Sequence, residues 1–312
     1  MRPLHSFLAV AVAVIWGVNF VVIDIGLENF PPLLFAALRF ALVAVPAVFL
    51  IPRPAIPVRW IVVVGLFQWA GQFGLLFTAM YLGLPAGLSS LVLQAQVIFT
   101  VAFAAAALGE RPGRRRLTGI VVASAGIAVI AVGRGAQVPL LPLLLALGAA
   151  ASWGVANVCV RRAEAPAGLG LLVWSSLVPP LPLLALSGLF EGPDRIRGAF
   201  ASFHPGSLGA LAYVVVLATF VGFGIWNALL RRYPASAVAP FTLLVPLVGM
   251  AAAFAWLGER PAAGELLGGA IVLAGLATLA VRGPARTTTA PAPVPAAKSA
   301  APDGPLRGAR AG

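Results

Sequence analysis

Residues 91–98 read LVLQAQVI, and the two amides in that run, Gln94 and Gln96, are the first groups that could do chemistry. Moving an amide into an apolar medium without partners costs roughly 4 to 8 kcal/mol on the harshest transfer scale, so each needs a neighbour or a solute to bond. Two positions apart on an α-helix they point about 200° away from one another. On that geometry one faces a cavity and the other bonds a neighbouring helix, or both bond helices. Gln68 and Gln72 stand four residues apart and share one helix face. Asn19 follows Trp16, and Asn157 follows Trp153, each within an apolar stretch. These amides could bond the amine or carboxylate of a small solute, or serve as polar glue between helices.

Arg39 is the sharpest signal, because it stands inside the apolar run PPLLFAALRFALVAV. An arginine at the centre of a membrane span costs about 2.5 to 3.5 kcal/mol even on the lenient insertion scale, and usually faces a bundle interior with a partner. One partner is a solute carboxylate, which a guanidinium holds by two parallel hydrogen bonds. The other is Asp24, the one carboxylate expected within the membrane and hence the candidate for proton coupling. Trp174 occupies the position matching Arg39 in the second half, which predicts a cavity charged on one side and aromatic on the other. Trp16, Trp69, Trp153, Trp174 and Trp226 all fall deeper than an interfacial aromatic belt would.

The elements positioning these groups follow from composition. The 312 residues are 61% hydrophobic and 10% charged, with a mean hydropathy of +1.00, far from the balance of soluble domains. An all-α integral membrane protein is expected. Helices of about 20 residues cross the hydrocarbon, and apolar runs broken at Pro, Gly and Arg give ten: 4–26, 33–51, 59–82, 85–108, 116–133, 138–160, 168–190, 207–230, 234–257 and 263–281. The first is read as a retained span and not a cleaved signal, for want of a small-residue cleavage site. With the N-terminus inside, only Arg134, Arg195, Arg197 and Arg260 fall outside and Arg39 within a span; the rest of the 21 Lys and Arg lie on the cytoplasmic side. The net charge of +12 is therefore a topological signal, and without a basic stripe or aromatic platform nucleic acid is not an expected partner. A lone cysteine, Cys159, excludes an internal disulfide, and no ligand spacing calls for a metal or other cofactor.

The halves repeat. PAGLSSLVLQAQ…ALGERP, from Pro85 to Pro112, returns 149 residues later as PASAVAPFTLLV…WLGERP, and WGVNFVV from Trp16 as WGVANVCV from Trp153. Five spans per unit is an odd number, so the copies should point in opposite directions, a plan of secondary transporters with a binding site near the midplane. The boundaries expected are 1–133 and 134–282, with a disordered cytoplasmic tail over 283–312. In LGERP, Gly109 and Gly258 should end helices left-handed and Pro112 and Pro261 start the next, with Glu110 and Glu259 as structural loop residues. Leu243 and Val245 stand where the first copy has Gln94 and Gln96, so the fold does not demand the amides. Pro46, Pro179, Pro180, Pro182, Pro240 and Pro246 should break or bend helices.

WGVNFVV, PPLLFAALRF, PAGLSSLVLQAQ, LLVWSSLVPPLPL, VGFGIWNALLRRYPASAVAPFTLLVP and both LGER segments resemble the EamA family of the drug/metabolite transporter superfamily, in particular its O-acetylserine and cysteine exporters. The resemblance implies a ten-span carrier of the bacterial inner membrane, both termini cytoplasmic, exporting a small zwitterionic metabolite. Exchange against protons is the coupling that Asp24 suggests. An exporter of the same build for other amino acids, nucleobases or drugs is the first rival. A membrane-embedded enzyme is remote: HExxH, GxSxG and Walker sequences are missing, and His5 and His204 lie at or beyond span ends.

Overall fold

A computed structural model describes residues 1–133, 139–166, 168–202 and 204–280. The tail 283–312 and Arg134 lie outside the described residues. Among the described residues every regular element is helical. Eight helices are long and apolar enough to cross a membrane: α1 (Pro3–Leu27), α3 (Val58–Tyr81), α4 (Ala86–Leu108), α5 (Arg114–Gly133), α6 (Leu140–Arg162), α7 (Leu169–Phe190), α9 (Pro205–Arg232) and α10 (Ala239–Leu257). Two apolar helices are shorter, α2 (Pro32–Ala47) and α11 (Ala263–Ala280). A further helix, α8 (Pro193–Ala201), was not expected from hydropathy, since its sequence PDRIRGAFA is polar.

Several of these helices are locally rewound. α3 widens to π turns over Gly65–Gly71 and α9 over Tyr213–Val221. α4 tightens to 3₁₀ over Leu93–Ala95, and α10 opens with a 3₁₀ stretch at Ala239–Leu243, where Pro240 cannot donate to an α ladder. α7 breaks between Ser175 and Pro180, the prolines 179 and 180 ending one helix and starting the next. Gly109 and Gly258 close α4 and α10 left-handed, at φ +68° and +67°, as their sequence positions predict.

The core is aromatic and aliphatic around α1, α2 and α3, with Phe30, Phe35, Phe40 and Phe77 almost wholly buried. α5 and α11 pack together through small residues. A Cβ built on Gly264 would come within 2.6 Å of the Gly133 Cα, so the backbones there meet with no room for side chains. Burial along α4 is uneven. Ala86 through Ala95 are all buried, whereas from Gln96 to Leu108 only Ala104 is.

Candidate functional site

A cavity of about 200 Å³ opens among α1, α2, α3, α4, α6, α9 and α10. Its wall carries Trp16 and Asn19 from α1, Arg39 from α2, Gln68 and Gln72 from α3, Gln94 and Gln96 from α4, and Trp153 from α6. With Trp69 and Trp226, ten residues singled out in the sequence thus meet in one space. Phe20, Trp69, Phe73, Phe223 and Trp226 supply aromatic surface, and Ser90 and Thr242 hydroxyls.

Arg39 is 2% exposed. Its Nη2 donates to Thr219 Oγ1 at 3.2 Å, and its guanidinium carbon lies 4.3 Å from the centre of the Phe73 ring. Nε and Nη1 have no hydrogen-bond partner. Thr219 Oγ1 in turn donates to Val214 O at 2.7 Å, a bond spanning five residues within the wide turns of α9. With its hydrogen so engaged, the hydroxyl presents a lone pair to the arginine. The Arg39–Asp24 ion pair does not form: among the described residues the ion pairs are Arg161–Glu110 and Arg197–Asp194. Arg39 is turned instead toward α9 and the Phe73 face, and Asp24, half-buried on α1, is outside the cavity wall.

Gln94 and Gln96 both line the cavity, contrary to the expectation that only one could. The reason is the 3₁₀ stretch at Leu93–Ala95. At three residues per turn, positions two apart are rotated by about 240°, which leaves about 120° between them, instead of the roughly 200° rotation of an α-helix, which leaves about 160°. Gln96 also bonds a neighbour, its Oε1 accepting from Asn157 Nδ2 at 3.2 Å. Asn157, which donates to Thr100 Oγ1 at 3.0 Å as well, stands behind the wall and not on it. Gln68 Nε2 donates to Gln72 Oε1 at 3.3 Å, so these two form the expected pair. Asn19 is 7% exposed, and its Oδ1 has no partner.

Trp174 does not oppose Arg39. It sits at the end of the first half of α7, where the helix breaks, and its indole N–H donates to Ile51 O at 3.0 Å. Two other indoles are held by the second half: Trp16 Nε1 donates to Ala218 O at 3.0 Å and Trp69 Nε1 to Ser175 Oγ at 2.7 Å. Sequence reasoning passed over Thr219, Phe73 and Phe223, whose types are unremarkable in an apolar helix. It also passed over Glu191, whose carboxylate accepts from the Leu33 and Leu34 amides at 2.6 and 3.2 Å and so caps α2.

The model of the EamA-like transporter family matches this chain twice, over residues 4–132 and 140–281. The chain belongs to the EamA-like transporter family. A protein of Salmonella typhimurium strain LT2 named "Probable amino-acid metabolite efflux pump" is 44% identical, over 88% of this chain and 94% of its own. One of the same name from Escherichia coli K12 is 41% identical over the same shares. A "Probable terminal-alkyne amino-acid exporter" of Streptantibioticus cattleyicolor is 33% identical over 62% of this chain and 63% of its own. A crystal structure 19% identical in sequence aligns with a TM-score of 0.58, covering 89% of this chain and 98% of the other, a likeness of fold. This EamA-like chain is thus a multi-pass membrane protein of a transporter family.

Proposed function

We propose that this chain is a ten-span carrier of the bacterial inner membrane that exports small amino-acid-like metabolites by alternating access. In this reading residues 1–133 and 134–282 are oppositely oriented five-helix repeats, with both termini cytoplasmic. The 16 residues of α2 reach about 24 Å at 1.5 Å per residue, short of the roughly 30 Å of hydrocarbon, a mismatch that local thinning of the bilayer accommodates.

The observation that carries the reading is a complementary pair of unanswered groups in one cavity: donors on Arg39 and an acceptor on Asn19. Nη2 bears two hydrogens and Thr219 takes one. Whichever it takes, the other still forms an intact two-point fork, with Nε or with Nη1, for a carboxylate. An amine of the same solute can then donate to Asn19 Oδ1, with Gln68, Gln72, Gln94 and Gln96 around it. The names of the relatives support an amino-acid metabolite as cargo, and cysteine and O-acetylserine are the first to test. The tryptophan and phenylalanine rings of the wall support a second reading, an exporter of the same build whose cargo is a larger apolar or aromatic amino acid or a drug.

We retain exchange against inward protons as the coupling, with Asp24 as its site. Since Asp24 is off the cavity wall, it would act on the conformational step and not by touching cargo. The groups on the wall offer binding, and we read the chain as a carrier and not an enzyme.

Uptake of labelled cysteine and O-acetylserine into inverted vesicles, followed by competition with aromatic amino acids, tests the proposal. Saturable uptake lost in Arg39→Ala is expected. Uptake no greater than in vesicles lacking the protein would contradict it.

A further inference from the structure

The two copies of LGERP share a backbone but not a partner. Gly109 and Gly258 turn the chain left-handed by nearly the same angle, which carries Glu110 and Glu259 to equivalent places after α4 and α10. Glu259 then reaches across to the other half. Its Oε1 accepts from the Ala86 amide at 2.6 Å and its Oε2 from the Gly87 amide at 2.9 Å. Both oxygens thus satisfy N–H groups at the start of α4, which have no partner within the helix, where a negative charge also suits the helix dipole. Glycine at 87 permits the approach, since a Cβ there would stand 3.1 Å from Glu259 Oε2 and 3.3 Å from the Ala253 Cβ.

Glu110 has no such engagement. It pairs with Arg161, and the two side chains are 33% and 50% exposed. An exposed ion pair of this kind is weak and readily exchanged. The segment that corresponds to the start of α4 is PASAV, whose helix begins at Ala235. Packing follows the same asymmetry. The part of α4 held by Glu259 is buried from Ala86 to Ala95, while the part leading to Glu110 is mostly half-buried, with only Ala104 fully buried.

We propose that Glu259 and Glu110 are the paired gating residues of the transport cycle, each latching the opposite half at one end of the bundle in turn. In the state described here Glu259 holds α4 and closes the end at Ala86. In the reverse state Glu259 lets go, and Glu110 leaves Arg161 to take the amides at the helix start near Ala235. Two inverted copies of one motif then do one job at two ends. This inference rests on the alternating-access reading above, though not on the identity of the cargo.

The test uses the full chain in liposomes with Cys159→Ser, so that reporters are single. Ser90→Cys reports the cavity near the Ala86 end and Thr242→Cys reports it near the start of α10. A membrane-impermeant maleimide is applied from each face, without cargo. Glu259→Gln should raise labelling of the Ser90→Cys variant at least threefold and slow that of the Thr242→Cys variant. Glu110→Gln should shift both rates the opposite way. Should Glu259→Gln fail to fold, Gly87→Ala, which crowds the carboxylate from the other side, should reproduce its effect. Labelling rates unchanged by Glu259→Gln and by Gly87→Ala, or shifted in the same direction by Glu259→Gln and Glu110→Gln, would overturn the assignment. Because no cargo is present, loss of export with labelling shifted as expected would count against the cargo reading and not against the latches.

Discussion

Thr219 and Arg39, 180 positions apart, meet at 3.2 Å inside the bundle, the hydroxyl accepting from one guanidinium nitrogen. The contact joins α2 to the widened part of α9, and so ties the guanidinium on the cavity wall to a helix of the other half. Hydrogen bonds to charged groups contribute about 1.5 to 3 kcal/mol. Thr219→Val should therefore raise the cargo KM about tenfold or more, by releasing the guanidinium nitrogen that Thr219 holds in place. Thr219→Ser should restore it, which a purely volumetric role would not require. Transport kinetics in proteoliposomes for both variants check this.

The helices were legible in the sequence because the bilayer fixes their length, and the polar residues of the site because each was an exception inside an apolar run. Arg39, Gln68, Gln72, Gln94 and Asn19 could be picked out on that ground alone. What could not be read was the rewinding that aims them. The 3₁₀ turn that brings Gln96 onto the same wall as Gln94 has no marker in LVLQAQVI, and α-helical angles gave the wrong relation. Trp174 misled for a related reason: Pro179 and Pro180 were marked as a break, but nothing in the sequence said that Trp174 would be left off the cavity wall. Glu259 looked like a loop carboxylate and Glu191 was passed over, because a helix cap supplied by a distant segment leaves no local pattern.

Asn157 orients Gln96 from behind the wall. Asn157→Leu should lower transport severalfold while costing little stability, since interhelical polar contacts in membranes average about 0.6 kcal/mol. Thermal unfolding in detergent alongside vesicle uptake separates the two effects. A large fall in melting temperature would make Asn157 a structural residue.

Gly264 packs against Gly133 with a Cβ clearance of 2.6 Å. Gly264→Leu should force α5 and α11 apart, and overpacking of this kind costs about 1 to 3 kcal/mol. A lowered melting temperature, with cargo affinity retained in the fraction that folds, is the expected result, since neither helix lines the cavity.

Asp24 lies off the cavity wall on α1. With coupling through this carboxylate, Asp24→Asn should remove the acceleration of transport by an imposed proton gradient and leave the cargo Kd unchanged. Export by Asp24→Asn that keeps its full dependence on the gradient would place coupling elsewhere.

Cargo binding by the purified protein bears most directly on the site, measured by calorimetry with cysteine, O-acetylserine or an aromatic amino acid and with the corresponding carboxamide. The account predicts that the carboxylate form binds, that the carboxamide binds at least tenfold more weakly, and that Arg39→Lys, which loses the two-point fork, erases most of the difference. Equal binding of acid and amide, or full discrimination by Arg39→Ala, would contradict it.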